Sequence, residues 1–402
     1  MSAPQPAAAN LPARRIIVAL GIGQTLGYAS TYYLPAILAG PMAQDMGLPL
    51  WAIFAGLSGA LVIASILAPI VGRIVDAHGG RRVLLASSLL FAAGLMLLSR
   101  ADGVGGLAAG WTVIGIGMAC GLYDVAFSTL AGLFGRGARG PITGITLIAG
   151  FASTIGWPFT AWIAEAFGWR EACQAWAALH LLVGFALYAG LPGRANAAAP
   201  DASSPTDGGG PRRAMAMLAF VFAAQGVVNS GIGTHLPGLL MAAGATPAAA
   251  IAAAALLGPA QVAARLAEFG LMRRMHPLVS ARVATMAHPA GVAALLVGGP
   301  AAAPLFAALH GGGSGLLSIS RGALPLALFG PAGYGRRQGL IVAPANAAVA
   351  AAPLVIGLGL EAGGPSAVLV LTTILAGLAT VSLLALRPAV APAGPAIATP
   401  KA

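Results

Sequence analysis

Gly72-Arg-Ile-Val-Asp76-Ala-His-Gly79-Gly-Arg81-Arg82 is a short polar turn held between two apolar runs, 50 to 73 and 82 to 99, each able to cross a membrane. Gly72 lets two helices approach closely, Asp76 can accept hydrogen bonds from the start of a neighbouring helix, and Arg81 and Arg82 hold the turn at a charged surface. An ordinary loop with a basic flank would share these residues, so the rest of the chain has to decide.

Composition points the same way. Of 402 residues, 58% are apolar and only 8% are charged, against about 25% charged in soluble domains. Long continuous apolar runs exclude a β-barrel, whose strands alternate. The net charge of +11 is spread over many short loops and does not form a nucleic-acid face. Cys120 and Cys173 offer neither a disulfide framework nor a metal cluster, and no phosphate-binding loop or catalytic constellation is present. No cofactor, metal or enzymatic activity is therefore expected. A single lysine beside twenty arginines suggests a GC-rich bacterial coding bias, and hence a bacterial inner membrane.

The expected spans are 15 to 39, 50 to 73, 82 to 99, 106 to 134, 142 to 165, 170 to 191, 214 to 241, 248 to 269, 279 to 299, 301 to 329, 338 to 360 and 366 to 387. An even count with the N-terminus inside leaves only Arg100 and Arg170 in outside loops, so both termini are expected in the cytoplasm. Residues 192–213, with two serines, Pro205 and a glycine triplet, form a cytoplasmic linker between a first bundle, 1–191, and a second, 214–387. Residues 388–402 make a disordered tail.

The two halves repeat. Gln24 and Tyr28 precede Leu34-Pro-Ala-Ile-Leu38, and Gln225 and Asn229 precede Leu236-Pro-Gly-Leu-Leu240. Arg73, Asp76, Arg81 and Arg82 map at constant offset onto Arg265, Glu268, Arg273 and Arg274. Spans 4 and 10 end alike, in Leu133-Phe-Gly135 and Leu328-Phe-Gly330. The opening turn, the repeat and Phe167-Gly-Trp-Arg170 together resemble the major facilitator superfamily of secondary transporters. Ala77 and Gly80 depart from that family's turn, which leaves any salt bridge there to Arg81 and Arg82. The resemblance implies an all-α fold of twelve transmembrane helices in two six-helix bundles related by pseudo-two-fold symmetry, enclosing a midplane site.

Ionised groups inside the membrane are costly and rare. Asp124 in span 4 and Arg321 in span 10 occupy nearly equivalent places in the repeats. Arg321 is expected to recognise a carboxylate through its planar fork of donors, and Asp124 to carry the coupled proton. A structural ion pair clamping the halves is the alternative. Arg265 resembles the span 8 arginine that binds anions in the oxalate and monocarboxylate branches, but its counterpart Arg73 favours a gating ion pair with Glu268, one turn away. Gly72, Asp76, Arg81, Arg82, Arg265 and Glu268 then form the conformational gate. Gln24, Tyr28 and Tyr32 on span 1, with Gln225 and Asn229 on span 7, are expected to line the cavity. His180, His235, His288 and His310 are expected to be neutral and bonded to backbone carbonyls.

These residues lead to an expectation of a monomeric, proton-coupled transporter of a small organic anion working by alternating access. The alternatives are proton-antiport efflux of drugs or metabolites, and a non-transporting sensor that keeps the fold.

Overall fold

The computed structural model describes residues 13–193, 209–272 and 275–386. Most of the expected linker, the expected tail, and Arg273 and Arg274 lie outside these residues. The described residues are helical with no strand, and a helical segment occupies each of the twelve expected spans.

In the first half, α1 (Ala13–Ser30) and α2 (Pro35–Met46) make one crossing in two pieces. Pro35 has no N–H to continue the helix and instead starts the second piece, where its fixed φ fits. The third helix, α3 (Leu50–His78), ends at Gly79, whose φ of 78° needs a residue without a side chain, and α4 (Gly80–Leu98) starts at once. Next come α5 (Val104–Gly121), α6 (Tyr123–Phe134), α7 (Arg139–Ala149) and α8 (Ala152–Ala166). The half closes with α9 (Trp169–Leu179), a π-turn at His180–Gly184 and α10 (Phe185–Ala189).

The second half runs through α11 (Gly209–Ala242), α12 (Pro247–Ala255), α13 (Leu257–Gly270), α14 (Pro277–Gly298), α15 (Ala303–Phe329) and α16 (Tyr334–Ala385). The last contains two crossings, with the chain reversing at Gly364, φ 67°. Among the described residues, eight stretches are long and apolar enough to cross a membrane; two of them, Val104–Ala166 and Pro277–Phe329, each hold two passes run together. Large apolar side chains such as Leu182, Leu296 and Val297 are 74%, 75% and 92% exposed, as expected where the solvent is lipid rather than water.

Two seams join the halves. Along the first, α3 lies on α16, and several of the closest contacts fall at small residues. The Ser58 and Ser65 hydroxyls donate to the carbonyls of Ala350 and Ala343. Gly72 abuts the Gly335 carbonyl, and Gly339 abuts Ala68 and Pro69, so a methyl at any of these glycines would collide with backbone. At the second seam, near the arginine-rich face, α7 meets α13 and α15 while α6 meets α15 and α16. No comparable seam among the described residues joins α1, α2 or α8 to the second half. The molecule is therefore shut toward the arginine-rich face and parted toward the other.

Candidate functional site

Between the halves, Asp124 and Arg321 meet. Two local features bring them together. Span 4 breaks at Leu122, whose ψ of −173° is extended, so Asp124 falls in the first turn of α6, where the helix dipole favours a carboxylate. The break frees the Gly121 carbonyl, which accepts a 2.7 Å hydrogen bond from Gln24 Nε2. On the other side, Gly322 lets α15 come close enough that Phe127 and Ile142 occupy the space a side chain would need. Its neighbour Arg321 then donates from Nη2 to Asp124 Oδ2 at 3.1 Å and to Asn346 Oδ1 at 2.8 Å.

Residues of α16 complete the cluster. Gln338 Nε2 donates to Asp124 Oδ1 at 3.2 Å and to the Arg321 carbonyl at 3.1 Å, and Tyr334 donates to the Gly322 carbonyl at 2.8 Å. Arg321 Nε is buried without a partner. The side chains of Arg321 and Asp124 keep 26% and 22% of their exposure, so the pair is only partly closed over. Raw attraction in such a pair is on the order of 4 kcal/mol at an effective dielectric of about 20, an amount that a proton on Asp124 or an incoming anion can offset.

The polar stripes divide. Tyr28 and Tyr32 are partly exposed and lie within electrostatic reach of Arg321; Tyr32 also bonds Ser230, and Asn229 is partly exposed as well. Gln24, expected on the cavity wall, is instead fully buried in the first half against Gly121. Gln225 is also buried, at 3% exposure, and its Nε2 has no partner. One polar face of α16, Tyr334, Gln338 and Asn346, was missed, although its spacing of four and eight residues is legible in the sequence.

At the arginine-rich face, Asp76 accepts 2.8 Å hydrogen bonds from the backbone N–H groups of Gly335 and Arg336, at the start of α16. Glu268 does not pair with Arg265. Its partners are Arg139 of the first half, which enters from α7, at 2.7 Å and Ser280 at 2.5 Å. Arg265 is 7% exposed and is held by neutral groups, Ser318 Oγ at 3.1 Å and Gln261 Oε1 at 3.3 Å. Its guanidinium packs on Gly150, at the break between α7 and α8. Among the described residues neither Arg81 nor Arg82 makes an ion pair. Gly80, the departure from the expected turn, has Thr129 packed against its Cα, which excludes a larger residue.

The Major Facilitator Superfamily profile matches residues 20–308, well over half of the sequence. The chain belongs to this superfamily. No curated protein matches it. Among solved structures it is similar to the human organic anion transporter MFSD10 (TETRAN), with TM-score 0.70, 16% identity, and 92% of this chain and 99% of that one covered. It is also similar to the transporter FucP in its outward conformation, with TM-score 0.71, 12% identity and coverage of 93% and 98%. A third is the proton:xylose symporter XylE, with TM-score 0.69, 15% identity and coverage of 92% and 94%.

As a member of the superfamily, the chain is a multi-pass membrane transporter of small molecules and not an enzyme. Its buried histidines bond to side chains rather than to the expected carbonyls. His180 meets Ser30 Oγ at 2.7 Å, while His288 meets His310 at 3.0 Å and Thr372 at 3.0 Å. These contacts lie inside one half or the other and hold helices within each bundle of the transporter.

Proposed function

We propose that this protein is a proton-coupled secondary transporter of a small carboxylate, working as a monomer by alternating access in a bacterial inner membrane. The observation that carries the reading is the partly exposed Asp124–Arg321 pair, with one charge from each half. By the positive-inside rule the arginine-rich face is cytoplasmic, which makes the described state outward-facing. A proton arriving on Asp124 neutralises it and loosens its hold on Arg321. The cargo carboxylate then takes the guanidinium through two parallel donors. With both charges compensated, the halves tilt, the contacts of Asp76 and Glu268 at the cytoplasmic gate open, and cargo and proton leave inward. Re-formation of the ion pair resets the cycle. Gly72 lets this gate close, and Arg81 and Arg82 keep its loop at the membrane surface.

The same fold serves an organic anion transporter and proton symporters for other cargo, so it admits both the cargo class and the coupling. Arg265 supports a second anion contact: a buried guanidinium with no acidic partner among the described residues leaves its charge available to cargo.

Uptake of labelled monocarboxylates into proteoliposomes under an imposed pH gradient tests the proposal. Arg321→Gln should abolish uptake. Asp124→Asn should retain carboxylate exchange and lose accumulation driven by the gradient. If both variants lose exchange and exchanging the two charges restores it, the pair is a clamp and the proposal fails. Proton-driven export of neutral or cationic compounds without carboxylate uptake would favour antiport efflux.

A further inference from the structure

Beside the ion pair runs a row of aromatic rings that the pair leaves unused. Ring contacts run without a gap from Phe127 to Tyr123 (5.1 Å, stacked), Tyr123 to Tyr28 (4.8 Å), Tyr28 to Tyr32 (6.3 Å), Tyr32 to Tyr33 (5.4 Å) and Tyr33 to Trp157 (5.8 Å). Exposure rises along the same path. Phe127, beside Arg321 through Gly322, is fully buried; the four tyrosines are partly exposed; Trp157 is 42% exposed. Beside this row the second half brings Ser230, which bonds Tyr32, and Asn346, which bonds Arg321. The row of rings therefore ends beside the Arg321 cation and is flanked by polar side chains of the second half.

We propose that the cargo is an aryl carboxylate, whose flat ring lies against Tyr28, Tyr32 and Tyr123 while its carboxylate engages Arg321. This rests on the anion reading above and narrows it. Aromatic rings prefer offset or edge contacts with other rings, an attraction beyond simple burial of area that a saturated ring of equal size and charge cannot match.

The test compares affinities of the purified full chain for benzoate, cyclohexanecarboxylate and benzamide by calorimetry. Benzoate should bind about three- to tenfold more tightly than cyclohexanecarboxylate, and benzamide should bind far more weakly than either acid. Tyr123→Leu should bring the two acids to equal affinity, and Tyr123→Phe should keep the preference. Equal affinities in the unaltered protein, or a preference that survives both Tyr123→Leu and Tyr28→Leu, would overturn the role of the aromatic row and leave the anion reading standing. Benzamide binding as tightly as benzoate, or no binding of either acid, would overturn both.

Discussion

Asp76 and Glu268 stand at matching places in the two repeats, yet they close the arginine-rich face by different physics. Asp76 takes two backbone N–H groups at the start of α16 and so uses a helix end as its cation. Glu268, 2% exposed, takes the side chain of Arg139 and a serine hydroxyl. A carboxylate bonded to a helix start depends on where the backbone lies, whereas one paired with a guanidinium in a dry site also depends on charge. The two acids hold matching places in the repeat but take different partners, which leaves the two latches open to separate manipulation.

The largest effect should come from Glu268→Gln, which leaves Arg139 without its counter-charge. Breaking such a pair costs about 3 kcal/mol, or roughly a hundredfold in the population shut on this face. Distances between spin labels on the ends of α7 and α13 would report it, and unchanged distances would show that Ser280 and the neighbouring carbonyls suffice. Asp76→Asn keeps an acceptor and loses only the charge, so about 1 kcal/mol is expected. Labels on α3 and α16 should broaden less than those on α7 and α13.

Acid should separate the two latches further. His276 accepts a hydrogen bond from the Leu278 N–H through Nδ1. Burial, with Arg139 and Arg282 nearby, lowers its pKa from the usual 6.5. The unfolded chain therefore binds the extra proton more readily, and the contribution of this cap is present above pH 6.5 and lost as pH falls below it. Acidification should loosen the α7–α13 contact before the α3–α16 contact, and His276→Asn should remove that order. The smallest effect is expected at Asp45, an exposed residue at the parted face that pairs with Arg170 inside the first half. Its hydrogen bond with Arg170 lowers the carboxyl pKa below 3.8, so this contribution holds at neutral pH and fades only as pH falls through that lowered value. Asp45→Asn should leave both sets of label distances unchanged.

The fold was readable because apolar length, arginine placement and the repeat all act at the scale of whole spans. Asp124 and Arg321 were readable for a related reason: charges in apolar helices are few, and matching depth in a repeat suggests that they meet. What escaped depends on rotation about a helix axis. The stripe of Gln24, Tyr28 and Tyr32 appears as one face, but the break at Leu122 opens a carbonyl that draws Gln24 inward while the tyrosines stay partly exposed. Arg265 and Glu268 are one turn apart, and spacing alone made them partners. Only the approach of α7 shows that Arg139 is the partner of Glu268.

The seam formed by Ser58, Ser65 and Gly72 against Ala350, Ala343 and Gly335 has one further consequence. At these positions the two faces meet without large side chains, so sliding one past the other there requires no side chain to climb over a neighbour. Such a surface works as a bearing, and the resistance to turning then resides in the carboxylate catches at its rim.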